Sequence, residues 1–167
     1  MRLDVILLVA IGVFLYFYLR NYFKNSLYVP VRKYDNELEE LNKTENGDWI
    51  DLYCTQDIKY KAGDTVTVDF GVGMVLPDGY EAIIAPRSST FKHTGLLLTN
   101  GVGVIDNSYS GEGDVWKAMF YATRDGEITR NQRLAHFRVL KNQPHLLFDY
   151  YDRFTTSPRG GYGTSGK

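Results

Sequence analysis

The chain has 167 residues, 44% of them hydrophobic and 23% charged, with 16 Gly, 5 Pro and a formal net charge of −1. That composition excludes disordered and collagen-like chains and allows one domain with a substantial core, while the near-neutral charge argues against a nucleic-acid partner. The single Cys54 excludes an internal disulfide and a cysteine-based zinc site, and the 14% aromatic share suits a β-rich fold better than a helical bundle.

The first element stands apart. Residues 5–19 read VILLVAIGVFLYFYL without a charge, and Arg20 and Lys24 follow. A span of roughly 17 to 20 apolar residues crosses a bilayer. Tyr16, Tyr18 and Tyr22 suit an interfacial belt, and Arg20, Lys24, Arg32 and Lys33 make the following flank basic. Residues 1–24 are therefore expected to form a helical membrane anchor, with 3–19 in lipid and the remainder of the chain in the cytoplasm by the positive-inside rule. Two other readings stay open: a start placed upstream of the true one, and a signal or buried helix. A cleaved signal peptide fits less well, because Asp4 answers Arg2 and no small-x-small site follows the apolar run.

After Tyr28 the pattern is all-β. Residues 36–43 (NELEELNK) are polar and read as a surface turn or one helical turn. Residues 65–70 (TVTVDF) alternate with the period of a half-buried strand. Further strands are expected at 73–76, 81–85, 96–99, 102–105, 118–122 and 134–140. Between them lie the turn signals Gly63-Asp64, Asp78-Gly79, Asn100-Gly101 and Asp125-Gly126. Short strands with frequent turns predict a jelly roll or a distorted barrel over 28–155. Residues 156–167, small and Gly-rich, read as a flexible tail.

Two apparent nucleotide motifs fail on context. Gly161 to Lys167 has the spacing of a phosphate loop, but that loop needs a strand before it, a helix after it and a Ser or Thr following the Lys. Gly101-Val102-Gly103 opens like a dinucleotide fingerprint, yet Asp106 takes the third glycine's place and no βαβ unit surrounds it. What remains is a set of polar residues at strand ends: Asp51, Arg87, Ser88, Asp106, Tyr109, Arg133 and Arg159. Each alone is an ordinary turn former or solvated side chain. His93, His136 and His145 lack metal-ligand spacing.

Their order is far more specific. Asp48-Trp49-Ile50-Asp51-Leu52, Pro86-Arg87-Ser88, Gly103-Val104-Ile105-Asp106-Asn107-Ser108-Tyr109-Ser110-Gly111, Arg133-Leu134-Ala135 and Arg159-Gly160-Gly161-Tyr162-Gly163-Thr164-Ser165-Gly166 resemble, in sequence, the five motifs of the trimeric dUTP diphosphatase (dUTPase) family. The resemblance covers nearly all of Tyr28 to Lys167, and the drift of its motifs suits a phage or prophage branch.

That resemblance implies hydrolysis of dUTP to dUMP and diphosphate, keeping uracil out of DNA and supplying dUMP for dTTP synthesis. Asp106 would be the general base that activates water for attack on the α-phosphorus. Asp51 would hold a Mg²⁺ cofactor through its water shell, the ion neutralising triphosphate charge. Arg87, Ser88, Ser89 and His136 would meet the phosphates. Asn100 would read the uracil edge, and Tyr109 would pack on the deoxyribose. Arg159, Tyr162, Gly163, Thr164 and Ser165 would close over the substrate, with Tyr162 stacking on uracil. The family implies a homotrimer with shared sites. Four departures stand out: Asp48-Trp49 for Ala-Gly, which makes Asp48 a candidate second metal-shell acid; Ser89-Thr90 for Gly-Leu; Ser110 for a frequent Arg; and His136 for Gln. Two alternatives remain. A dCTP deaminase would need a catalytic Glu that the stretch 113–118 (GDVWKA) lacks. A non-catalytic, membrane-tethered dUTP-binding regulator would bind without turnover.

Overall fold

Alternating burial builds the core. In β9 (Lys117–Ala122) every second residue, Ala118, Phe120 and Ala122, points inward, and β4 (Thr65–Asp69) buries Val66 and Val68 beside it. The computed structural model describes residues 3–24, 26–43, 47–158 and 160–161. The other strands in chain order are β1 (Val31–Lys33), β2 (Ile50–Tyr53), β3 (Ile58–Tyr60), β5 (Val72–Met74), β6 (Tyr80–Pro86), β7 (Leu96–Leu98), β8 (Gly103–Ile105), β10 (Gly126–Ile128) and β11 (Arg133–Lys141).

All described pairings are antiparallel. They form a four-stranded sheet in the order β2-β11-β6-β8, a three-stranded sheet β4-β9-β7, and the pairs β1-β5 and β10-β3. Between them lie Trp116, Phe70, Phe120, Leu52, Ile84, Ile128 and Leu134, nearly free of solvent contact. The all-β expectation and the N-terminal helix hold, but the sheets stay separate and do not close into a barrel.

Each strand expected from the sequence is present within a few residues. Four more, β1, β2, β3 and β10, are too short to show a period. A five-residue helix, α2 (Thr90–Thr94), is equally illegible, since one turn has no amphipathic repeat. It ends at Gly95, whose φ of +72° and the approach of Arg124 within 2.6 Å of any added Cβ require glycine. Residues 36–38 are a turn as expected, though Leu38 is buried against the core rather than left at the surface. No helix or strand follows Lys141 among the described residues. Helix α1 (Leu3–Lys24) exposes every described side chain, and its stretch Ile6–Lys24 is apolar enough to cross a membrane.

Candidate active site

β11 lies between β2 and β6, so residues that are distant in sequence become neighbours at one end of the four-stranded sheet. His136 is level with Asp51 on one side and Ala85 on the other. The chain leaves β6 at Pro86, and Arg87 is fixed by its own N–H donating to Leu134 O at 3.2 Å. Thr90 Oγ1 donates to the same carbonyl at 2.6 Å, tying the turn that follows to β11.

Asp51 is the centre of this arrangement. It is 5% exposed, an expensive place for a carboxylate without partners. Two guanidinium groups meet it: Arg87 Nε lies 2.9 Å from Oδ1, and Arg133 Nη1 lies 3.1 Å from Oδ2. Both oxygens are occupied, and the trio carries a net charge of +1. Arg87 keeps its two terminal nitrogens without a hydrogen-bond partner among the described residues. A planar cation held this way presents paired donors to an oxyanion. Beside it, a cleft of about 280 Å³ is lined by Arg87, Ser89, Thr90, His93, Gln132 and Arg133. Ser88 is exposed at its edge, and Ser89 occupies the position before α2 without capping it by its side chain. A wider hollow of about 610 Å³ around Lys59, Lys61, Asp64, Asp125 and Glu127 is less suited to anions, because its carboxylates outnumber its lysines.

In sequence alone Trp49 is a departure without a role. Its indole stacks on His136 at 4.5 Å between ring centroids, with the Arg138 guanidinium 5.5 Å from the Trp49 ring centroid. The signal available was the pairing of two unusual residues, Trp49 and His136, on strands that the motifs bring together. Burial lowers the His136 pKa from its usual 6.5; the Asp51 charge opposes that shift and Arg87 adds to it. Imidazole here is therefore neutral near pH 7 and donates through one nitrogen only. The unfolded chain takes up this proton at higher pH than the folded one, so the group costs nothing above pH 6.5 and destabilises the fold as pH falls below it. In His136→Gln the loss of thermal stability between about pH 7.5 and 5.5 is expected to be smaller than in the parent, as thermal melts at both pH values will report. Asp48, a candidate metal-shell acid by sequence, is exposed and paired with Lys43 at 2.7 Å.

The other candidate residues flank β8, at the other edge of the same sheet. Asn100 is exposed in the β7–β8 turn, where Gly101 N–H donates to Leu98 O. Asp106 follows β8 and is exposed; its carbonyl accepts the Tyr109 N–H at 3.0 Å. Tyr109, 41% exposed, donates its hydroxyl to Val115 O at 3.3 Å. Asp51 is level with Ala85, whereas Ile105 is level with Ala82. With strands about 4.8 Å apart and residues about 3.3 Å apart along them, Asp51 and Asp106 of one chain are roughly 20 Å apart. The structure thus joins Asp51, Arg87, Arg133 and His136 and keeps Asp106 away from Asp51. Arg159, Tyr162, Gly163, Thr164 and Ser165 lie outside the described residues.

Residues 38–166 match the dUTPase family model. The SPbeta prophage-derived deoxyuridine 5′-triphosphate nucleotidohydrolase YosS of Bacillus subtilis is 41% identical over 138 residues, 83% of this chain and 97% of that protein. The deoxyuridine 5′-triphosphate nucleotidohydrolase of Thermobifida fusca is 32% identical over 141 residues, 83% of this chain and 78% of its own. Among solved structures, the Staphylococcus bacteriophage 80alpha dUTPase with dUPNHPP superposes with a TM-score of 0.69 at 15% identity, covering 84% of this chain and 99% of that one. A point mutant of the dUTPase from phage phi11 of Staphylococcus aureus, described with a structural Mg(II) ion, gives a TM-score of 0.65 at 13% identity, covering 77% and 99%.

Proposed function

The chain belongs to the dUTPase family, and we propose from that premise that it hydrolyses dUTP to dUMP and diphosphate at sites shared between three copies. The observation that carries this reading is the Asp51–Arg87–Arg133 trio, an anion-binding group built from three separate motifs. The roughly 20 Å between it and Asp106 is too far for that carboxylate to act on a phosphate held in the same chain. A homotrimer resolves this: Arg87, Ser88, Ser89 and His136 of one copy bind phosphates, Asn100, Asp106 and Tyr109 of a second hold the nucleoside and water, and the tail from Arg159 onward comes from a third.

In the reaction, Asp106 accepts a proton from water as its oxygen bonds to the α-phosphorus. The bond from that phosphorus to the bridging oxygen breaks, and the electron pair leaves with diphosphate. Arg87 and Arg133 stabilise the charge that develops on the leaving group, and Asp51 keeps both guanidinium groups aimed without further ordering cost. Asn100 reads uracil, and Tyr109 packs on the deoxyribose where a 2′-hydroxyl would otherwise fit.

Among the described residues no three His, Cys, Asp or Glu side chains converge as a metal cage. Mg²⁺ would come carried by the triphosphate, and Asp51, each of whose oxygens keeps a second lone pair beside its arginine, is the residue that would meet its water shell. So bound, Mg²⁺ supplies charge neutralisation across the phosphates.

Helix α1 is proposed as a single membrane anchor that leaves the β domain on the cytoplasmic side. Support comes from its length and from apolar side chains on every face. Of the four basic residues in its flank, Arg32 pairs with Glu112 and Lys33 donates to Leu38 O, leaving Arg20 and Lys24 for the interface. Residues 156–167 are proposed as the closing tail. A chain lacking residues 1–24 is expected to stay in solution without detergent and to release diphosphate from dUTP but not from the other dNTPs. Its full dependence on Mg²⁺ is part of the same assay. Aggregation of that chain, with activity only in the full protein, would assign the helix to the fold instead.

A further inference from the structure

We propose that Tyr34, not among the candidate site residues, is a positioning residue that braces the loop 106–116 and thereby holds Tyr109 against the sugar. The proposal rests on Tyr109 packing on the deoxyribose, as above. No strand intervenes between Ile105 and Lys117, so the loop that carries Asp106 and Tyr109 needs support from elsewhere. Within the loop, Gly111 N–H donates to Asp114 Oδ2 at 2.7 Å and Val115 N–H to Gly113 O at 2.8 Å, while its ends are fixed to the body by Asn107 Nδ2 donating to Asp78 Oδ1 at 3.3 Å and Trp116 N–H donating to Val72 O at 2.8 Å. Between those ends, two side chains of the N-terminal segment hold its middle. The hydroxyl of Tyr34 accepts the Gly113 N–H at 2.9 Å, and Arg32 pairs with Glu112. The ion pair is exposed on both sides and contributes little; the Tyr34 bond is the stronger tie.

Tyr34 is itself well placed. β1 pairs with β5 through Arg32 and Gly73, and Tyr34 N–H donates to Gly71 O at 2.8 Å. The Arg32 guanidinium lies 4.7 Å from the Tyr34 ring centroid. Gly73 makes the contact possible: a Cβ there would stand 2.9 Å from Asp114 O and 3.2 Å from Tyr34 Cε2. Ring and loop thus rest on bare backbone of β5. Tyr109 donates its hydroxyl to Val115 O, between the braced Gly113 and Trp116, whose N–H is bonded to Val72 O, so the Tyr34 contact sets the free side of the segment on which Tyr109 leans.

The readout is sugar discrimination, measured as the ratio of affinities for α,β-imido-dUTP and α,β-imido-UTP. Tyr34→Phe removes only the hydroxyl. It is expected to lower that ratio about two- to tenfold, the size of one lost hydrogen bond, with Tyr109→Ala lowering it further. Arg130→Gln is the control for simple loosening of the N-terminal segment. Arg130 holds Asp35 at 2.7 Å and Glu37 at 3.2 Å and touches nothing in the loop. It is expected to lower the melting temperature and leave the ratio unchanged. A ratio unchanged in Tyr34→Phe but lowered in Tyr109→Ala overturns the brace alone. A ratio unchanged in Tyr109→Ala overturns the reading of Tyr109 and the brace with it. An equal fall in Arg130→Gln reduces Tyr34 to a stabilising contact and also overturns the proposal.

Discussion

Asp106→Asn is expected to bind dUTP nearly as tightly as the parent and to lose about 10² to 10⁴ in turnover. The amide keeps the shape and can hold the attacking water, but it cannot take its proton. Asp106 is exposed, and the contact recorded for it, accepting the Tyr109 N–H, is made by its backbone carbonyl. The substitution therefore disturbs no described packing and no ion pair, which separates chemistry from folding in a way that a change at Asp51 would not. Calorimetric affinity for a non-hydrolysable analogue and diphosphate release near neutral pH measure the two effects. Near-normal release would remove Asp106 from the role of base.

How much of this was legible in the sequence depends on the length scale of each feature. β4 and β9 alternate over five and six residues, long enough for a period to be read, and both are where the pattern places them within a residue or two. β3 and β10 span three residues each and pair only with one another; their existence is decided by the Lys59–Glu127 register, a tertiary fact. The turn at 36–38 shows the same limit, since Leu38 in a polar stretch is buried with its Cδ1 2.5 Å from where a Cβ on Gly71 would stand, a contact between segments that the local sequence does not show.

The site divides along the same line. Asp51, Arg87 and Asp106 stand out through motif order, but the union of Asp51 with both Arg87 and Arg133 comes from β11 lying between β2 and β6. Arg133 has no role that the sequence alone reveals, yet it neutralises one half of the buried carboxylate. Without it, Arg87 alone would balance Asp51, and the trio would lose the surplus positive charge that attracts phosphate. Trp49 likewise reads as a defect in the first motif until His136 is seen stacked on it. The two residues that depart from the resembling motifs are two rings that cover each other, beside guanidinium groups that still pair with Asp51.

The distance between Asp51 and Asp106 gives the most demanding expectation. Arg87→Ala keeps Asp106 and removes a phosphate donor, a loss on the order of 10³ to 10⁵ in rate for a charge-stabilising arginine. Asp51 retains Arg133 in that variant, so no carboxylate is left buried without a partner. Asp106→Asn has the reverse defect. Each variant alone is expected to be nearly inactive. Unfolded together at equal amounts and reassembled, they are expected to recover about one quarter of the parental activity, because random mixing pairs a sound Arg87 with a sound Asp106 at about one site in four. A site contained in one chain predicts none, since no chain in the mixture carries both residues. The fraction recovered therefore reports the architecture directly, and its dependence on mixing ratio should peak at equal amounts and vanish at either extreme. Chains that demonstrably exchange without regaining activity, or an active species that sediments as a monomer, would place both residues in one chain and require the sheet to bring Asp51 and Asp106 far closer than the β2-β11-β6-β8 order allows.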